Sequence, residues 1–188
     1  SLFTKIFILV AIFIALTHPS LAVETAGNSA NINRFPNSPN IDKQAKLIKL
    51  YRTKKAIKNV LEFYHSPLIN EVDTFIDVCF HYELDCYLLP AIAGLESYFG
   101  HYIYPNSYNP FGWGGGYIIF SSWKESIEKV AYGLRKNYID KGAKDIYDIG
   151  RIYSESPTWA PRIINLINRF SLEEEKINLY FAQNQVQL

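Results

Sequence analysis

The stretch Leu88-Leu89-Pro90-Ala91-Ile92-Ala93-Gly94-Leu95-Glu96-Ser97-Tyr98-Phe99-Gly100 constrains this chain more than any other. Leu88, Ala91, Ile92 and Leu95 recur at helical spacing, Asp85 is placed to cap the helix, and Gly100 marks its end. Residues 101–116 then hold Pro105, Asn106, Asn109, Pro110, Gly112 and Gly114-Gly115-Gly116, a composition that excludes regular structure. The fold must therefore carry an apolar helix, with the single carboxylate of Glu96 in its last turn, to the edge of a long irregular loop.

Helical patterns surround this pair. Ile41, Ala45, Ile48, Ile57, Val60, Leu61 and Tyr64 are spaced by threes and fours, which predicts a basic helix over 41–64. Ser66-Pro67 reads as a cap and first-turn proline for a second helix through Leu68, Val72, Phe75, Ile76 and Cys79 to about Tyr82. Ser122 with Glu125 forms a capping box for a helix carrying Trp123, Ile127, Val130, Ala131, Leu134 and Tyr138. A shorter helix is expected around Asp145 to Tyr153. Pro157 or Pro161 opens the last one, through Ile163, Ile164, Leu166, Ile167 and Phe170, with residues 173–188 as a tail. Tyr117-Ile118-Ile119-Phe120 is short and β-like, half of a small hairpin. The predicted class is mainly α with one small β-hairpin and loop element beside a cleft.

The first 22 residues read as an export signal: Lys5, the apolar run Ile6 to Leu16, Pro19 as breaker, and Ser20-Leu21-Ala22 as cleavage site. That run is short against the roughly 20 residues of a membrane span, so secretion or attachment to the cell envelope is expected. The sequence starts at Ser1 and has no Met, so residues are expected to precede it. Residues 23–40, rich in Asn, Ser, Ala and Pro, read as a flexible linker. Without the signal the chain has 18 basic and 18 acidic residues, so no nucleic-acid partner is expected, and the domain is expected to be a monomer. Basic residues still cluster in 34–58, where Arg34, Lys43, Lys46, Lys49, Arg52, Lys54, Lys55 and Lys58 face only Asp42. That stretch reads as a solvated helix face; the alternative is contact of 41–58 with an anionic wall polymer or membrane surface.

Cys79 and Cys86 are the only cysteines. On one helix their seven-residue separation puts them about 10.5 Å apart, too far for a disulfide; with a turn between them a bridge becomes possible. No cofactor and no metal is expected: His65, His81 and His101 lack metal-ligand spacing, no phosphate-binding glycine loop precedes a helix, and Ser97 has no identifiable base.

Glu96 is the candidate catalytic residue. A lone carboxyl set among Leu95, Tyr98 and Phe99 is expected to be poorly solvated and to hold its proton more readily than one in water. A general acid for glycosidic bond cleavage has that need, because the leaving sugar oxygen must be protonated as the bond breaks. The bland alternative is a solvated helix end.

Five blocks in order carry a resemblance: Ser66-Pro67-Leu68; residues 85–100 with Glu96-Ser97; Tyr108-Asn109-Pro110-Phe111-Gly112-Trp113; residues 120–127; and Trp159-Ala160. Over residues 60–170 the chain resembles the bacterial endo-β-N-acetylglucosaminidases of the lysozyme-like superfamily. The resemblance implies a small helical lysozyme-like domain, here 65–172, that cuts peptidoglycan glycan strands with Glu96 as the acid. It implies substrate contacts at Ser97, Tyr108, Asn109, Phe111, Gly112 and Trp113, and aromatic residues near the cleft at Tyr153 and Trp159. Sugars present C–H faces that pack on aromatic rings. Core or loop-anchoring packing is the competing role for Trp113, Tyr153 and Trp159; for Trp113, set among glycines, the groove is the expected place.

A second carboxylate is not singled out among Glu125, Glu128, Asp140, Asp145, Asp148 and Glu155, and Glu125 is better explained as a cap. One acid suffices where the substrate's acetamido oxygen or a sugar hydroxyl is the nucleophile, the latter being lytic transglycosylase chemistry. A transglycosylase on the same fold and an inactive wall-binding module are therefore the alternatives.

Overall fold

In a computed structural model, the described residues, 39–185, form six α-helices, and no strand occurs among them. The expected signal peptide and all but the last two residues of the expected linker lie outside the described residues.

The helices are α1 (Pro39–Phe63), α2 (Val72–His81), α3 (Leu88–Ser97), α4 (Trp123–Leu134), α5 (Ile146–Tyr153) and α6 (Trp159–Gln185). A 3₁₀ turn, Pro67–Glu71, leads into α2, and a π-helical turn, Arg135–Ile139, prolongs α4.

Helix α3 is buried over most of its length. Leu88, Leu89, Pro90, Ala91, Ile92 and Ala93 are all buried, as befits a helix that is apolar on every side. Burying each of the larger side chains contributes roughly 2 kcal/mol, which outweighs the ~1 kcal/mol cost of Gly94 in the same helix. Gly94 has a packing reason, because a Cβ there would stand 2.7 Å from the Phe99 ring. Pro90 sits in the first turn, where an amide has no intrahelical acceptor. Asp85 supports the entry, accepting the Tyr87 amide at 2.8 Å.

Helix α6 packs on both α1 and α3, and α1 also meets α2. Ala56, Ile57, Val60 and Leu61 of α1 are buried, whereas Leu47, Ile48 and Tyr51 are exposed, so only the second half of the basic helix joins the core. Residues 173–185, expected within a tail, are helical instead. Their anchors are long-range: Asn59 donates to Glu173 at 2.9 Å, Tyr87 to Glu174 at 2.6 Å, and Arg52 pairs with Asn178.

The expected hairpin does not form. Phe120 donates its amide to Ser107 O at 2.8 Å, but the facing segment carries Pro110, which has no amide, and Tyr108 at φ 47°, which breaks the pleat. Cys79 and Cys86 form a disulfide with their Cα atoms 4.9 Å apart, because α2 ends at His81 and the chain turns back through Glu83 at φ 51°. Among the described residues no helix is long and apolar enough to cross a membrane.

Candidate active site

The end of α3 builds the site. Tyr98 and Phe99 both adopt left-handed backbone, at φ 52° and 59°, a strained pair that reverses the chain within two residues. The amide of Phe99 closes onto Ala93 O at 2.9 Å, and its carbonyl accepts the Ser66 hydroxyl at 2.7 Å. Phe99 is thereby driven into the core, 1 % exposed, while Glu96 stays at the surface.

The surroundings of Glu96 are in part those its sequence neighbours suggest, since Leu95, Tyr98 and Phe99 line the cleft beside it. Phe99 is turned into the core and Tyr98 lies half in solvent, stacked edge-on to Tyr64 at 5.3 Å. The carboxyl instead meets residues remote in sequence. Trp159 Nε1–H donates to Glu96 Oε1 at 2.7 Å, and a Cβ on Gly112 would stand 3.2 Å from Oε2. Gly112 is at φ 62°, so the absent side chain and the left-handed backbone both serve the close approach of the loop. Oε2 has no hydrogen-bond donor among the described residues.

The loop is braced from behind. Ser97 Oγ contacts Pro110 O at 2.7 Å and Ala93 O at 2.9 Å and accepts the Gly100 amide at 2.8 Å. Asn109 accepts the Trp113 amide at 3.0 Å and donates to Trp113 O at 2.9 Å and Ile118 O at 3.2 Å. Phe111 is fully buried, and its carbonyl accepts the Tyr153 hydroxyl at 2.6 Å. Asn109 and Phe111, expected at the substrate, thus have their side chains turned inward and hold the loop, while Ser97 both braces the loop and lines the cleft beside Glu96. Trp113 is half-buried against Gly133, Tyr138 and Tyr153, which makes its indole more an anchor than a free stacking face. Tyr108 is exposed and meets Trp123 edge-on at 5.1 Å.

Tyr153 and Trp159 join the brace to the carboxyl. Their rings stack at 4.9 Å, and Trp159 is 3 % exposed, so it offers Glu96 its N–H and not its face. Burial first, and then the Glu96 charge and Tyr138, hold the Tyr153 phenol well above its ordinary range, so it remains a neutral donor to the loop.

Of the other candidate carboxylates, Glu125, Glu128, Asp140, Asp145 and Asp148 are engaged elsewhere, Glu128 with Lys124, and Glu155 lines a separate cleft between α5 and α6. Ser121, through its amide and hydroxyl, holds Glu125 below the usual range, and Ser122 accepts the Glu125 amide at 3.1 Å. The Lys136 contact depresses Asp140, the Lys144 amide depresses Asp148, and Asp145 caps α5.

Beside Glu96 opens a cleft of about 460 Å³ between the end of α3 and one stripe of α6. Glu96 is the one acidic side chain lining it among the described residues, and Tyr64, Tyr102, Arg162, Asn165 and Arg169 face it. The sequence reasoning overlooked this α6 stripe. Its signal was present, since residues 162, 165, 166 and 169 share one helical face. No three His, Cys, Asp or Glu side chains among the described residues gather as metal ligands. Compared with known proteins, the chain matches no family model and no curated relative.

Proposed function

We propose that this protein is an exported glycoside hydrolase that cleaves N-acetylglucosaminyl bonds in peptidoglycan strands, with Glu96 as general acid. The observation that carries the reading is the state of one carboxyl: Oε1 is fixed by the Trp159 indole, Oε2 has no hydrogen-bond donor among the described residues, and the Glu96 side chain lines an open cleft. An acid oriented through one oxygen presents the other to a leaving group in a defined direction. The residue order that resembles the glucosaminidases adds the substrate class.

The Glu96 carboxyl gives its proton to the glycosidic oxygen as the C1–O bond breaks. With no second acid lining the cleft among the described residues, the substrate's 2-acetamido oxygen closes on C1 and forms a cyclic oxazolinium ion. The Glu96 carboxylate then takes a proton from water, which opens that ring and leaves a reducing end. The Cys79–Cys86 disulfide favours an oxidising compartment, in keeping with the expected export signal.

Glu96→Gln tests the assignment, because an amide keeps the Trp159 contact and loses the proton. Clearing of a peptidoglycan suspension is expected to fall by about 10²- to 10⁴-fold, the usual contribution of a positioned acid. Thermal stability is expected to stay within about 0.5 kcal/mol, since the residue is exposed. Undiminished clearing removes Glu96 from the chemistry, and wall binding without clearing by the unaltered protein identifies a binding module.

A further inference from the structure

The cleft beside Glu96 carries more positive charge than a neutral sugar chain requires. Arg162 and Arg169 stand two helical turns apart on α6, about 10.5 Å along the axis, with Asn165 between them on the same face. Neither guanidinium has a carboxylate partner among the described residues, whereas Arg52, Arg135 and Arg151 are all ion-paired. Arg169 is also held in place, its guanidinium carbon 5.4 Å from the centre of the Tyr64 ring. Tyr64, Asn165 and Arg169 recur in an adjoining cleft of about 570 Å³ between α1 and α6, so the groove continues past Arg169.

From this geometry we infer that Arg162 and Arg169 form a carboxylate subsite, and that the protein selects anionic glycan over neutral glycan. The inference rests on the proposed glycosidase reading and names the part of the substrate this groove takes. An unpaired guanidinium fork fits a carboxylate through two parallel N–H···O bonds, which a neutral hydroxyl cannot reproduce. In a peptidoglycan strand the carboxylate is either the free lactyl group of a stem-free sugar or a group on the peptide stem. Both present the same chemistry to the arginines.

The test compares kcat/KM of the full chain with that of R162Q/R169Q on three glycans. These are stem-bearing strands, stem-free strands, and neutral N-acetylglucosamine oligomers of equal length. The double substitution is expected to lower the ratio of acidic to neutral kcat/KM by about tenfold per guanidinium. Arg→Lys at each position is expected to recover part of it. A lowered ratio on stem-free strands identifies the lactyl group, and one confined to stem-bearing strands identifies the peptide. A ratio unchanged on both overturns the inference while leaving the glycosidase reading intact. Calorimetric binding of stem-free and stem-bearing strands to E96Q, with and without the arginine substitutions, separates the two claims. Arginine-dependent binding with no cleavage by the unaltered protein keeps the subsite and rejects the glycosidase. Binding that ignores the arginines rejects the subsite.

Discussion

Gly133→Ala probes the coupling between the loop brace and the acid, because Gly133 lies on α4 and touches neither Glu96 nor the cleft. A Cβ there would stand 2.6 Å from Trp113 Cζ2 and 3.0 Å from Cη2. Ordinary carbon contacts are about 3.5–4.0 Å, so the indole must retreat by roughly 1 Å. It has little room, with Tyr138 and Tyr153 ring centres 6.1 and 5.7 Å away and its backbone clamped by Asn109. The displacement passes to Gly112, the residue against Glu96 Oε2.

Stability and activity should then part. Alanine in a helix interior gains about 1 kcal/mol over glycine, and overpacking costs about 1–3 kcal/mol, for a net loss of about 0–2 kcal/mol. That is a fall of a few degrees in Tm. A shift of about 1 Å at a catalytic group costs about 10²-fold in rate. Thermal unfolding and peptidoglycan clearing, measured side by side on one preparation, give the two numbers. Trp113→Phe in the Gly133→Ala chain removes the clashing ring atoms and should restore the Tm. Clearing within twofold of the unaltered protein, at any Tm, refutes the coupling.

Ser97→Ala should destabilise by about 1–3 kcal/mol in urea unfolding, because it strands the Gly100 amide and the Pro110 carbonyl in a buried place. Reducing the Cys79–Cys86 bond should cost about 2.4 kcal/mol from the entropy of its short loop, read as a lower urea midpoint with reductant present. Stability should also fall above about pH 10. Burial and the Glu174 contact raise the Tyr87 phenol, and burial raises Tyr153, so the folded protein keeps protons that the unfolded chain releases there. The stabilisation is full below pH 10 and is lost as pH rises toward the folded values, at up to roughly 1.4 kcal/mol per pH unit for each tyrosine. Tyr87→Phe should flatten that slope in pH-dependent unfolding.

Features set by neighbours two or three residues away were legible in the sequence. Ser66 accepts the Leu68 amide at 3.0 Å, Ser122 the Glu125 amide at 3.1 Å and Asp145 the Asp148 amide at 2.8 Å, each a contact that local spacing dictates. What depends on distant residues was not. Leu95, Tyr98 and Phe99 line the cleft with Glu96, but the partner that fixes its carboxyl is Trp159, 63 positions on. No hairpin forms at Tyr117–Phe120 because apolar β-branched residues signal a strand only where a partner backbone is free to pair. Asn109 and Phe111 belong to the motif, but motif membership does not distinguish bracing a loop from touching a ligand; burial does. Arg162 and Arg169 escaped notice because each, by itself, is an ordinary exposed arginine on a long helix.

Mass spectrometry of the soluble fragments released from purified peptidoglycan tests the central claim most directly, since it reports activity, bond and product together. Fragments ending in reducing N-acetylglucosamine are expected from the unaltered protein and none from Glu96→Gln. Anhydro sugar ends, or the same fragments from both proteins, would contradict that claim.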